Sequence, residues 1–316
     1  MSLPTHARAV QIDRYGTRDE LHIASIPMPV PAEGEVLVEV KAAGINPGEA
    51  AIRRGDLAAM WPSTFPSGEG SDLAGVVVAL GPGVTDFAVG NEVLGFSFTR
   101  SSHATHTAVP VTQLITKPAE LSWPVAGALY VVGATAYAAV RAVDAQPGET
   151  VAVSAAAGGV GTIVVQLLAR KGVRVLGIAS AANDSWLVSH GAVPVHYGAS
   201  DDLSELAANL TAAAPSGIDA FIDLFGPQYL QLAVDLGIAR DRIETIASFA
   251  KAAELGTKSE GSVDASTREV LTEVAGLVAS GEVEIPIAAT YPLDDVQAAF
   301  EQLEQRHTRG KIVLIP

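Results

Sequence analysis

"VAVSAAAGGVG", residues 151–161, is an apolar run that breaks into a glycine turn and passes at once into a second apolar run, "TIVVQLLA" at 162–169. Strand, tight turn and helix in that order decide the architecture. Glycine accepts positive backbone angles and leaves no Cβ in the path of a ligand, so several glycines at a strand-to-helix junction suit a seat for paired phosphates. Ala156, Gly158 and Gly161 fill the three small-residue places of the dinucleotide fingerprint, with Gly159 and Val160 between the last two. Alanine in the first place departs from the usual glycine. Glycines also let helices pack closely on sheets, and that reading stands beside the first.

Downstream, short apolar runs alternate with helical patterns: "RVLGIAS", "NDSWLVSHG", "PVHYG", "DLSELAANL", "DAFIDLFG", "QYLQLAVDLG" and "RIETIAS". Uniformly apolar strands separated by helices mark a parallel sheet covered on both faces, an α/β doubly wound arrangement. Upstream the texture is different. "EVLVEVKAAGIN" alternates around Val36, Val38 and Val40, and "DLAGVVVALGPGV" ends in a Gly-Pro-Gly turn. Many short strands with frequent turns predict a small, mostly β barrel or sandwich. The change falls near Ser122, and "KIVLI" at 311–315 reads as a closing strand after a helix that begins near Asp294 and Asp295.

The chain has 316 residues, of which 48% are apolar and 17% charged, which suits two domains with a sizeable core. Acidic residues outnumber basic ones by 35 to 20, so polyanions are repelled; nucleic acid and anionic membrane are not expected partners, and a small molecule is. There is no cysteine. This excludes disulfides, a thiolate nucleophile and every sulfur-ligated zinc site, and it fits a cytoplasmic protein. The first residues, "MSLPTHARAV", do not have the pattern of a signal peptide. Leu121–Val140 is free of charge, but Pro124 and its glycines predict a buried helix or helix pair rather than a membrane span.

The strand "RVLGIAS" ends where an adenosine ribose would lie. An acidic residue there accepts from the ribose hydroxyls in NAD enzymes, but here the strand runs into Ser180, Ala181, Ala182 and Asn183. Ser180 and Asn183 can donate to a 2′-phosphate, which favours NADPH; Asn183 also reads as the N-cap of the next helix. Tyr197, ending the third strand, is either an aromatic edge for the adenine or an ordinary half-buried tyrosine. Backbone around Phe225, Gly226, Ser248 and Phe249 ends the next two strands, at the carboxyl edge where such sheets hold ligands.

Taken with "AAGINPGE", "GEGSDLAGVVVALGPGVTDFAVGNEVLG", "GATAYAAV" and "RGKIVLIP", these features give a chain that resembles the medium-chain dehydrogenase/reductase superfamily, in its zinc-free quinone oxidoreductase-like branch. The likeness runs over essentially the whole length. It implies a GroES-like catalytic domain at 1–121, completed by about 285–316, a Rossmann NADP-binding domain at 122–284, an active cleft at their junction, and a homodimer. It also implies NADPH-dependent reduction of quinones or of enones. By resemblance, Asn46 of "INPGE" lies by the nicotinamide, Thr135 of "GATAY" contacts the cofactor, and Gly158, Gly159 and Val160 form the diphosphate turn. Ser180 and Asn183 match the 2′-phosphate corner, with Tyr197 at its edge. Asn46 before Pro47 is equally a turn residue.

The cysteine and histidine ligands of the zinc-dependent branch are missing, so no metal is expected. His103 and His106, three apart in a strand-like segment, point to opposite faces and are expected to be exposed or partly buried. Hydride transfer needs orientation and a hydrogen-bond donor for the developing oxyanion, and Asn46, Tyr130 or a water is available for that. Trp61 and Phe65 either sandwich a flat conjugated substrate or anchor a proline-rich loop. Beside the quinone or enone reductase stand two alternatives: a zinc-free ketone or aldehyde reductase, and an NADPH-binding protein of low turnover.

Overall fold

The computed structural model describes residues 3–198 and 203–316. In chain order it opens with β1 (His6–Ile12), β2 (His22–Pro27), β3 (Glu35–Gly44), α1 (Pro47–Arg54), β4 (Ser67–Gly68), β5 (Asp72–Leu80), β6 (Glu92–Phe96), β7 (His106–Pro110) and β8 (Leu114–Thr116). Then follow α2 (Trp123–Ala126), α3 (Leu129–Val143), β9 (Thr150–Val153), α4 (Gly159–Arg170), β10 (Arg174–Ala179), α5 (Asp184–Ser189), β11 (Ala192–His196) and α6 (Ser204–Ala213). The chain closes with β12 (Ala220–Asp223), α7 (Pro227–Asp235), β13 (Ile243–Thr245), α8 (Phe249–Leu255), α9 (Arg268–Ala279), β14 (Ile287–Pro292), α10 (Val296–Glu304) and β15 (Lys311–Ile315).

Two compact units result: Met1–Val131 with Thr267–Glu282 and Pro286–Pro316, and Val132–Ser266 with Val283–Ile285. The division falls within α3, later than the change of texture at Ser122. α9 belongs with the first unit, because Arg268 bonds Asp86 at 2.9 Å and its guanidinium lies over the Phe87 ring. The charge-free stretch forms the helix pair α2 and α3, and no described helix is long and apolar enough to cross a membrane.

The first unit is built on a seven-stranded sheet ordered β14-β15-β3-β5-β6-β8, with β7 also on β3, and on a small sheet β2-β1-β4. Pairing is antiparallel except between β14 and β15, as expected for a GroES-like β domain. The last strand returns to the front of the chain, Val313 opposite Gly44 and Leu314 opposite Ala43. One apolar cluster, including Val10, Ile45, Phe300, Ile312 and Leu314, ties β1, the residue pair leading from β3 into α1, and α10 to that returning strand. Each such side chain stabilises the unit by about 1.5–3 kcal/mol when fully buried.

The second unit is a five-stranded sheet ordered β11-β10-β9-β12-β13, with all pairs parallel. That order reverses on either side of β9, so the crevice beyond the carboxyl end of β9 is the topological switch point where open α/β sheets take their ligands. Leu176, Ile178, Phe221 and Ile243 are almost wholly buried, which is why these strands read as unbroken apolar runs.

Candidate functional site

In the second unit, β9 delivers the chain to Ser154 and a turn in which Ala155 is held at φ +45°, a left-handed conformation uncommon for a residue with a Cβ. Gly158 N–H donates to Ala155 O at 2.8 Å and closes the turn, and α4 starts at Gly159. A Cβ on Gly161 would stand 2.2 Å from Ala155 O and 2.8 Å from the Ala156 backbone. Glycine there lets the first turn of the helix lie directly against the strand exit. The leading N–H groups of α4 have no intrahelical acceptors and sit at the positive end of the helix dipole.

Substituting Gly161 with alanine is expected to cost about 1–3 kcal/mol of stability, because backbone must move to admit the methyl group. Ala155→Gly should be neutral or stabilising, because it removes a side chain from a strained angle. Urea titration of both variants checks this pair; a silent Gly161→Ala would refute the close approach.

Ser180 follows β10, and the Asn183 amide donates to its hydroxyl at 3.1 Å. Asn183 makes no side-chain capping bond to α5, so its polar group belongs to this corner rather than to the helix. The nearest carboxylate in sequence, Asp184, is engaged by His196 Nε2 at 3.0 Å. Tyr197 follows β11 and is half-exposed. Phe225, also half-exposed, meets Tyr229 edge to face at 5.4 Å, and Gly226 caps α7. Ser248 is buried with its hydroxyl unpartnered, and Phe249 opens α8 beside it. Thr135 is buried on α3.

In the first unit, Asn46 is the N-cap of α1 and only 4% exposed. Glu49 accepts from Asn46 N–H at 2.8 Å, from Asn46 Nδ2 at 3.2 Å and from Ser71 N–H at 2.9 Å. The other Asn46 Nδ2 hydrogen reaches Asp72 Oδ2 at 3.1 Å, while Asn46 Oδ1 accepts from Lys311 Nζ at 2.5 Å. Lys311 spends its remaining donors on Ile45 O at 2.9 Å and Asp72 Oδ2 at 3.2 Å. Asp72 is completely buried and also accepts from Val131 N–H at 2.6 Å. Burial pushes its carboxyl up; the Lys311 charge, the Val131 N–H and the Asn46 amide pull it back. Asn46 thus joins two buried acids and a buried amine, and both of its side-chain N–H groups are committed.

Tyr130, buried, stacks on Phe96 with ring centroids 3.9 Å apart, and Phe96 meets the exposed Phe98 edge to face at 4.6 Å. Phe65 is half-buried and meets Tyr15 edge to face at 4.9 Å, and it packs on the barrel core. Trp61 remains more than a third exposed. The anchoring reading therefore fits Phe65, whereas Trp61 keeps a free face.

His103 departs from expectation: it is wholly buried. Its backbone is threaded between β1 and the segment before β5, with Val10 N–H donating to His103 O and His103 N–H to Glu69 O, and Nε2 lies 3.2 Å from Gly44 O. His106 is half-buried, and burial pushes its pKa down. Among the described residues, no group of three or more histidines or acids is arranged to hold a metal ion. Sequence reasoning missed Asp72, Lys311, Glu69 and Asp223. The one available signal was a charge at the head of an otherwise apolar run, as in "DLAGVVVAL" and "KIVLI".

The description of an alcohol dehydrogenase GroES-like domain matches residues 32–146, and that of a zinc-binding dehydrogenase matches residues 190–314. Quinone oxidoreductase 1 of Escherichia coli is 29% identical over 331 residues, spanning 98% of this chain and 100% of the relative. The chain belongs to the medium-chain dehydrogenase/reductase superfamily. Within it, the quinone oxidoreductase-like branch also includes the quinone oxidoreductase of Rattus norvegicus, 27% identical over 96% of this chain and 95% of that one. The solved Escherichia coli quinone oxidoreductase in complex with NADPH superposes with a TM-score of 0.86 at 27% identity, covering 98% of this chain and 100% of that one. The quinone oxidoreductase structure from Coxiella burnetii gives 0.87 at 27% identity, with 98% and 99% covered. Superfamily members with such coverage share both units, so the glycine turn and the Asn46 cluster each lie in matched parts of the chain.

Proposed function

We propose that this chain is an NADPH-dependent, zinc-independent reductase of quinones or α,β-unsaturated carbonyl compounds, acting as a cytoplasmic homodimer. The observation that carries the reading is the turn at 154–161, where Gly161 brings the free N–H groups of α4 against the exit of β9 at the switch point of a parallel sheet. Relatives named as quinone oxidoreductases, one of them solved with NADPH, support the cofactor and the acceptor class.

When bound, NADPH supplies the hydride. The N–H groups leading α4, over Gly158, Gly159 and Val160, would hold the diphosphate, and Ser180 with Asn183 would receive the 2′-phosphate at a corner where the adjoining Asp184 is engaged by His196. Tyr197 borders the adenine. Phe225, Gly226, Ser248, Phe249 and Thr135 line the rest of the cofactor, and the unpartnered Ser248 hydroxyl gives that wall a hydrogen-bonding group. Trp61 offers a flat surface to a conjugated ring.

One hydride and one proton convert a quinone to a hydroquinone or saturate an enone. Both Asn46 amide hydrogens are already donated, which favours Tyr130 or water over Asn46 as the source of the proton. Asn46 instead shapes the site by joining α1, β5 and β15. Zinc independence rests on the donor set. The chain has no cysteine, and the Lys311 ammonium stands beside the Asp72 carboxylate and the Asn46 oxygen where a metal would need those acceptors.

NADPH oxidation measured across quinones, enones and ketones, with and without a chelator, tests this directly. Turnover of a quinone or enone, indifferent to chelation, is expected. Turnover of ketones alone, loss of activity on chelation, or tight NADPH binding without any turnover would each overturn the reading.

A further inference from the structure

We propose that Asp223 is the positioning residue of the cofactor site: one buried carboxylate fixes the three turns that leave β9, β12 and β13. The inference rests on the NADPH reading above and adds to it the group that sets the shape of the site.

Asp223 is the last residue of β12 and is wholly buried. Its Oδ1 accepts from Ser154 Oγ at 2.8 Å, from Phe225 N–H at 3.0 Å and from Gly226 N–H at 3.1 Å. Its Oδ2 accepts from Thr245 Oγ1 at 2.8 Å. The two hydroxyls extend the clamp, Ser154 Oγ accepting from Leu224 N–H at 2.8 Å and Thr245 Oγ1 from Ala247 N–H at 3.1 Å. Ser154 and Thr245 are themselves fully buried.

These bonds fall on three neighbouring strands, β9, β12 and β13, at the carboxyl ends where the sheet presents its ligand edge. Ser154 leads the glycine turn. Phe225 and Gly226 form the next turn, and Ala247 leads into Ser248 and Phe249. Every one of these turns carries residues assigned above to the cofactor, yet Asp223 contributes no surface of its own. No aliphatic side chain could accept from Ser154, Phe225 and Gly226 at once, so its loss leaves each turn free to choose its own conformation. Burial pushes the Asp223 carboxyl up, and the bonds from Phe225, Thr245, Gly226 and Ser154 draw it back.

An asparagine retains most of the pattern. Its oxygen takes the three Oδ1 donors, and its amide keeps the link to β13 in reverse, donating to Thr245 Oγ1, whose own O–H gives up its acceptor; alanine reproduces none of it.

The test compares wild type, Asp223→Ala, Asp223→Asn and Thr245→Val by calorimetric titration with NADPH and with 2′,5′-ADP, a fragment that reaches the Ser180 and Asn183 corner but neither of the turns after β12 and β13. Asp223→Ala is expected to weaken NADPH on the order of 10- to 100-fold and 2′,5′-ADP, whose 5′-phosphate meets only the glycine turn, by no more than about 2- to 5-fold, and Asp223→Asn should stay within about threefold of wild type for both. Thr245→Val, which cuts only the link to β13, should weaken NADPH by about 3- to 10-fold and decides the matter if the alanine variant fails to fold. Unchanged NADPH binding in the folded variants, equal loss of both ligands, or an asparagine variant as weak as alanine overturns the inference. If wild type itself ignores NADPH, the functional reading fails, and with it the premise of this one.

Discussion

Lys311→Met is expected to lower the unfolding free energy by about 3–5 kcal/mol, because removing one partner of a buried ion pair strands the other charge in a medium that cannot solvate it. The stranded group is Asp72, with no exposed surface and one of its three hydrogen-bond donors gone. Asn46 Oδ1 and Ile45 O lose their donor in the same change. Asp72→Asn alone leaves the ammonium without a counter-charge and should cost a similar amount. The double variant removes both charges together and is expected to recover a large part of the loss, since replacing a whole buried pair is far less damaging than breaking it. Denaturant titration of the two single variants and the double measures the coupling. Single variants costing under about 1 kcal/mol, the range of an exposed pair, would mean that water reaches the cluster.

That cluster also marks where reading from sequence stops. The parallel sheet was legible because four of its five strands, all but the edge strand β11, are buried on both faces, and such burial writes itself locally as a short apolar run. The turn at 154–161 was legible for a related reason: close backbone approach forbids a Cβ, and the prohibition acts on the same residues that make the turn. Lys311 and Asp72 are 239 positions apart, and buried His103 likewise meets elements distant in the chain, at Val10 and Gly44. A charge is tolerated in a core only if tertiary structure brings it a partner, and composition near the residue carries no trace of that partner. His103 shows the consequence. Strand alternation gave its facing relative to His106, but burial came from β1 and from the segment before β5, to which no local pattern refers. Asp223 was hidden in the same way, because its donors come from three strands and only Phe225 and Gly226 are its neighbours in sequence.

Glu69 leads to the second large effect, a native state that loses stability as the solution becomes more alkaline. Its side chain lies in the first unit, 4% exposed. Burial, reinforced by the negative charge of Glu49, pushes its carboxyl from 4.5 up to about 8, with Arg53 and Arg100 opposing the rise. Below the lower value the native and unfolded chains both hold the proton and no penalty exists. Between the two, the unfolded chain has released a proton that the native state retains, so stability falls with rising pH, and the penalty is complete once the native carboxyl ionises near 8. A difference of this size sets a ceiling of about 5 kcal/mol. Arg53 does not remove the penalty: its guanidinium is fully buried, bonds Glu304 at 2.9 Å and lies over Phe300, but makes no ion pair with Glu69. Glu69→Gln keeps the shape and removes the ionisation. The variant should match wild type in acid, exceed it by several kcal/mol at mildly alkaline pH, and reduce the slope of unfolding free energy against pH by up to one proton. Glu244, buried on β13 and likewise pushed to about 8, leaves a residual slope that Glu244→Gln should remove in turn. Denaturant titrations across the interval decide it: a Glu69→Gln variant with the wild-type slope would mean that this carboxyl is ionised in the native protein throughout, in direct contact with a compensating charge.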